Sequence, residues 1–495
     1  MPTKFTCRFK SMAIAGVASL SLSACATVPG AGVPAGAPIT QAEAQQGAQY
    51  HPQFVQEFGG TVSGPQAQYV ERIGARMGVE SGLGASTDTF EVTLLNSSVN
   101  NAFAVPGGYV YVTRQLVGLM NNEAELAGVL GHEIGHVAAR HSARRQQTAQ
   151  RNQLLGVLGQ VLSGAILGDS ALGRLGQEIS STAPQLATLS YSRSQELEAD
   201  ALGITYLESA GYDPHAMATV LTSLARQNNL DAALQGRDSA QMPAWASTHP
   251  DPASRVQNAL QKAGATTGIL NRDVFLSNVD GLMYGDDPKQ GVIEGRTFIH
   301  PVYRFAFTAP QGFNMLNGTS AVSISGDSGK AQFSTGPYNG NLQTYVSQVF
   351  NALGGDQQQL KPQNMQSTTV NGLPAVFGTA RVNNGKSNVD VVVFAYQFSN
   401  DQAFHFAAIT PAGQSGVFSP MFESMRRISS AEEGSVTPRR VDVVTVGRGE
   451  TVRILASRMA YDNAKEERFR VLNGLSSTDT LTPGQKVKLI VRSGS

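Results

Sequence analysis

Cysteine is nearly absent: the 495 residues contain two, Cys7 and Cys25, both within the first 25 positions. A disulfide framework and a thiolate zinc site are therefore excluded from everything downstream. Charge is also sparse, at 15% of residues against roughly 25% in an ordinary soluble chain. Lys plus Arg number 37 and Asp plus Glu number 37, so no surplus of one sign points to a nucleic-acid partner. No apolar run approaches the ~20 residues that a bilayer span requires, which excludes a polytopic membrane protein. What is present is 41% apolar residues and 52 glycines, ample for a core and inconsistent with wholesale disorder. The length suggests roughly three domains at ~150 residues each.

The N-terminus has the plan of a secretory signal: Lys4, Arg8 and Lys10, an apolar run from Met12 to Leu22, then Ser23 and Ala24. Leu22, Ser23, Ala24 and Cys25 resemble the bacterial lipobox, in which the chain is cut before the cysteine and the cysteine is acylated. The resemblance implies lipidation of Cys25, and Ala26 after it is the neutral residue usual in lipoproteins sent to the outer membrane of a Gram-negative cell. Removing residues 1–24 leaves 34 bases against 37 acids, a net charge of −3. Residues 25–46 then read as the lipidated cysteine and a flexible tether, because Ala, Gly, Pro and Gln dominate and little can repay ordering.

From Asn121 to Arg145 the apolar residues Leu126, Ala127, Leu130, Ile134, Val137 and Ala138 recur at helical spacing, with Asn122 and Glu125 as an N-cap signature. Within that helix His132 and His136, four apart, share a face and can bind one tetrahedral ion. Glu133 stands where a general base for a zinc-bound water belongs. A catalytic zinc needs a third protein ligand, and His141 is too close to His136 along the helix to point at the same metal. A second helix, Ser190 to Tyr206, offers one: Glu196, Ala199, Asp200 and Gly203 line one stripe. Glu196 can face the metal while Asp200, one turn on, accepts the free N–H of a ligating histidine.

HEIGH followed about 60 residues later by ExxAD, with NAFAVPGGYVYVTRQL before and STHPDPASR after, resembles the gluzincin metallopeptidases over roughly residues 50–265. The resemblance implies His132, His136 and Glu196 as ligands of one Zn2+ per chain and Glu133 as the base. It matches the soluble periplasmic branch rather than the membrane-embedded prenyl-protease branch, though no run of 34-residue helical repeats follows. Tyr109, Val110, Tyr111 and Val112 read as a strand after Pro106, Gly107 and Gly108. As an edge strand beside the cleft it would bind an extended substrate main chain first; otherwise it is an ordinary sheet strand. Asn101 is a candidate holder of substrate or of transition-state oxygen. His249, in a polar loop ahead of Arg255, is either a donor to a developing oxyanion or a fourth ligand that closes the zinc until substrate arrives. Trp245 would report on that loop. Leu154 to Leu175, rich in Leu and Gly, reads as a packed helical pair rather than a lid.

Between residues 270 and 430 the stretches VYRFAFTAP, AVSIS, AVFGTARV, DVVVFAYQF and AFHFAAIT alternate as antiparallel strands do, with helices at Leu342–Leu353 and Met421–Ile428. This is an α+β domain with a weak resemblance to PsbP-like folds. His300 and His405 lie outside every motif and read as core or surface residues rather than ligands. Residues 441–491 read strand, helix, helix, strand, and VGRGETV, VLNGL and LTPGQKVKL resemble the LysM module, whose family binds peptidoglycan. The fold expected is multidomain: a signal (1–24), a tether (25–46), a mainly α-helical zincin protease domain with a small β-sheet (47–265), the α+β domain (270–430) and a βααβ LysM-like module (441–491). The function expected is that of a zinc endopeptidase in the periplasm, attached to the outer membrane through lipid alone, whose clients are misfolded or stalled outer-membrane proteins. The outer-membrane assembly machinery and peptidoglycan are further expected partners. The competing expectation is a latched or inactive protease acting as a chaperone or scaffold.

Overall fold

The structure, a computed structural model, describes residues 33–84, 86–146, 191–234, 249, 251–354, 360–383 and 387–493. The signal, Cys25, the start of the tether, Leu154–Leu175 and Trp245 lie outside the described residues.

Thr40 opens the first helix, α1 (Gln41–Glu57), by a capping box: its hydroxyl accepts the Glu43 N–H and the Glu43 carboxylate accepts the Thr40 N–H. The expected tether is thereby corrected over its last part. The segment before α1 is tied to the body, since Gly36 N–H donates to Ala138 O and Arg140 donates to the carbonyls of Pro34, Ala37 and Pro38. Composition misses this because the fastening is electrostatic: the buried Glu43 carboxylate pairs with the buried Arg140 guanidinium at 3.0 Å.

After α2 (Pro65–Glu80) come three strands, β1 (Glu91–Leu95), β2 (Ala102–Val105) and β3 (Tyr109–Thr113). β3 lies in the middle, parallel to β1 and antiparallel to β2. The expectation of Tyr109, Val110, Tyr111 and Val112 as a substrate-binding edge is thus corrected: both edges of β3 are already paired. Val110, Tyr111 and Val112 are fully buried, which is where β-branched and aromatic residues gain most. The turn between β2 and β3 uses Gly107 and Gly108 at φ 95° and 86°, open to glycine and strained for other residues.

Helices α3 (Arg114–Leu119), α4 (Glu123–Ala138), α5 (Arg193–Ser209), α6 (Ala216–Leu234) and α7 (Pro252–Ala263) complete the first region. Asn122 caps α4, its side-chain oxygen accepting the Glu125 N–H at 2.9 Å. The helical run does not continue unbroken to Arg145. Arg140 stands at φ 51°, the chain turns there, and residues 141–146 resume as helix in a new direction.

Residues 283–428 are α+β. A seven-stranded antiparallel sheet has the spatial order 364–370, 373–383, 388–397, 403–411, 329–335, 321–326, 314–317, and a four-stranded sheet lies beside it. The helix Leu342–Gly354 covers one face of the longer sheet through Tyr345, Val346 and Phe350, and a phenylalanine-rich core fills the other. The helix expected at Met421–Ile428 is Ser419–Ser424 instead; Arg426 and Arg427 leave it to pair with Ala306 and Phe305, so sheet extension outweighs helical periodicity there. The C-terminal module is strand Arg439–Thr445, helices Val452–Ser457 and Lys465–Leu472, and strand Lys486–Arg492. Its Val441, Leu455, Phe469 and Leu489 belong to the same apolar core as α2, α4 and α6. Among the described residues no helix is long and apolar enough to cross a membrane.

Candidate metal centre

Helices α4 and α5 approach closely because three glycines face the contact. A Cβ on Gly203 would come 3.0 Å from the His132 backbone nitrogen, and one on Gly135 would come 3.1 Å from Ala199 O. This contact sets Glu196 and Asp200 of α5 against the histidines of α4. Asp251, at φ 60°, caps α7 by accepting the Ser254 N–H, and α7 delivers Arg255 to the same place.

His132, His136, Glu196 and His249 each offer a ligand atom, all within 4.8 Å of one another, and all four residues are buried. Nε2 of His132 and Nε2 of His136 lie 3.5 and 3.4 Å from the Glu196 carboxylate. His249 joins them through Nδ1, 3.1 Å from Glu196 Oε1, while its Nε2 faces Ala102 O at 3.3 Å and Glu133 Oε1 at 3.4 Å. His132 Nδ1 meets Asp200 Oδ1 at 2.9 Å, the arrangement expected of Asp200 from its place one turn after Glu196. Asn101 is fully buried at the head of β2, its backbone locked to Thr113, one residue from the Ala102 carbonyl that faces His249.

Burial works against a charged His132, yet hydrogen bonds to Asp200 and Glu196 carry its pKa up to about 9. Asp200, despite burial, is held down at about 2 by Arg255 and His132. Burial raises Glu133 above the usual carboxylate range and pushes His136 well below the usual imidazole range. Among the described residues neither Glu133 oxygen has a hydrogen-bond partner, although both are buried. A buried carboxylate left so, beside two imidazoles and a second carboxylate with converging lone pairs, fits a divalent metal and a reactant to which Glu133 turns. Imidazole and carboxylate donors in this number suit zinc.

Residues 65–263 match the family model described as Peptidase family M48. That stretch is similar to M48 peptidases. Residues 444–489 match the LysM domain model. The beta-barrel assembly-enhancing protease of Escherichia coli (strain K12) is 32% identical over 288 residues, 57% of this chain and 57% of that protein. The protein of that name from Yersinia pestis is 35% identical over 199 residues, 40% and 38% of the two chains. The mitochondrial metalloendopeptidase OMA1 of Arabidopsis thaliana is 33% identical over 138 residues, 28% and 26%. The chain thus spans at most 57% of the length of these relatives.

Three residues around the centre are less visible in the sequence than in the structure. Arg255 is buried with a forked grip on Asp200, Nε to Oδ2 at 2.7 Å and Nη2 to Oδ1 at 2.5 Å, and its Nη1 reaches Glu196 Oε2 at 2.6 Å. Its spacing after His249 was visible, its partners were not. Tyr191 stacks on His136 with ring centres 3.9 Å apart, and nothing in its sequence neighbourhood signals that. His141, set aside because a continuous helix would turn it away, is aimed at His136 by the turn at Arg140.

Proposed function

We propose that the chain is a zinc-dependent endopeptidase of the periplasm, anchored to the outer membrane by lipid on Cys25, which hydrolyses misfolded or stalled outer-membrane proteins. The observation that carries the reading is the convergence of His132, His136 and Glu196 beside the buried carboxylate of Glu133. Zinc held by those three residues supplies Lewis acidity toward water and the scissile carbonyl. Glu133 takes the proton of the attacking water and returns it to the leaving amine. Asp200 keeps the Nδ1–H tautomer of His132, and Arg255 keeps Asp200 ionised and orients Glu196. Substrate binds main chain first along β2, the sheet edge that borders the centre. The names of the Escherichia and Yersinia relatives support barrel proteins as clients. The LysM match supports peptidoglycan as the surface on which residues 441–491 rest, and the PsbP-like reading of 270–430 makes that domain an adaptor for clients or for the assembly machinery.

A second reading is favoured by one observation: His249 Nδ1 sits among the candidate ligands, where it can close the zinc, so that the resting chain is a latched protease and acts as a scaffold. Cleavage of an unfolded outer-membrane protein by wild type and His249→Ala, after chelation and zinc return, separates the two. A gain of activity in His249→Ala identifies a latch; a loss identifies His249 as a participant in the reaction.

A further inference from the structure

The two histidines of α4 need the same thing from their surroundings. Each converges on the centre through Nε2, so each must carry its proton on Nδ1 to leave the Nε2 lone pair free. His132 has Asp200 for that purpose. Among the described residues no carboxylate meets His136 Nδ1; His141 does, Nδ1 to Nδ1 at 2.8 Å. If His136 donates, His141 Nδ1 accepts, and the His141 proton must sit on Nε2. That atom lies 3.1 Å from Glu198 Oε2, an acceptor, which the Arg144 guanidinium holds at 3.0 Å. Every proton in the row Glu198, His141, His136 is thereby assigned in one direction only.

Local structure shows how His141 is aimed. Its side chain is fully buried, and it follows Arg140, whose φ of 51° breaks α4 and turns the chain back. A left-handed conformation is unfavourable for arginine and is retained here by the bonds of its guanidinium to Glu43, Pro34, Ala37 and Pro38. Glu198 shares α5 with Glu196 and Asp200, so one helix serves both histidines, directly on one side and through an imidazole on the other.

We propose that His141, backed by Glu198, is a positioning residue that fixes the Nδ1–H tautomer and ring orientation of His136 and so sets the affinity of the centre for its metal. The proposal rests on the reading of His132, His136 and Glu196 as ligands. The test is zinc affinity of the full chain, measured by chelator competition on protein stripped and reloaded, with the melting of the stripped protein alongside. His141→Phe fills the space and cannot accept a proton; it should bind zinc roughly 10- to 100-fold more weakly. His141→Asn places a carbonyl oxygen near the accepting position and should recover most of that loss, which a packing role would not allow. Glu198→Gln, on a partly exposed residue that leaves the fold intact, should weaken binding by a few-fold and covers the case in which the His141 variants do not fold. Equal zinc affinity in wild type and His141→Phe, equal loss in the Phe and Asn variants, or an unchanged affinity in Glu198→Gln each overturns the proposal. A wild type that binds no zinc overturns the ligand assignment, and this proposal with it.

Discussion

His132 and His136 sit one turn apart on one helix, yet Asp200 backs the first and His141 the second. Position along the sequence made Asp200 legible, because one turn after Glu196 is the same face of α5; it could not make His141 legible, because the break at Arg140 depends on Glu43, nearly a hundred residues away. Elsewhere, burial of single titratable residues has consequences of its own. His405 is buried with Nδ1 2.9 Å from the Tyr345 hydroxyl, and burial holds its pKa down at about 4; His300 is likewise held at about 4. In the unfolded chain both titrate near ~6.5. Between those values the unfolded state binds protons that the folded state refuses, so stability rises with pH across this window and is lost as pH falls from ~6.5 to about 4. Each histidine contributes about 1.4 kcal/mol per pH unit. Urea midpoints read by hydrogen exchange in strands 388–397 and 403–411 should show that slope, and His405→Gln should remove roughly half of it. A slope unchanged by the substitution would mean that His405 is not the group responsible.

Among elements, the contact between α4 and α5 decides whether the ligands meet. Apolar periodicity announced α4, and the stripe Glu196, Ala199, Asp200, Gly203 announced α5 and the face of it that is buried. What periodicity could not give was sheet order: the YVYVT strand reads the same at an edge or in the middle, and only the pairing of β1 onto β3 places it inside. The 426–427 strand was hidden for a similar reason, since two residues that extend a distant sheet carry no period of their own. Gly203→Ala puts a methyl group 3.0 Å from the His132 backbone and 2.9 Å from the end of Met217. The expected result is a loss of about 1–3 kcal/mol in stability from overpacking, together with weaker zinc binding as the helices separate. Calorimetry with and without zinc checks it; destabilisation equal in the two states would place the strain away from the ligands.

In the whole molecule, the C-terminal module is part of the body that carries the metal centre rather than a hanging appendage. Lys488 on its last strand is fully buried, and its ammonium donates to the carbonyls of Gly118, Leu119 and Met120 at the end of α3. The module itself was readable from its phrases; its fusion with the core around the metal centre was not, because Lys488 in KVKLIV reads as an ordinary solvated lysine of a strand. Lys488→Met leaves those carbonyls without their donor and should cost about 1.5–3 kcal/mol. Faster hydrogen exchange should then appear in α3 and α4 as well as in 439–492; a change confined to 439–492 would show two independent bodies. The central claim, that this body exists to hold a zinc and a base against a peptide bond, is tested most directly by Glu133→Gln. Zinc content and cleavage of an unfolded outer-membrane protein are measured side by side, with His249→Ala as the background if the wild type is latched. The expected result is one zinc per chain in both forms and a fall in cleavage of about 10²- to 10⁴-fold. Undiminished cleavage by zinc-loaded Glu133→Gln would contradict it.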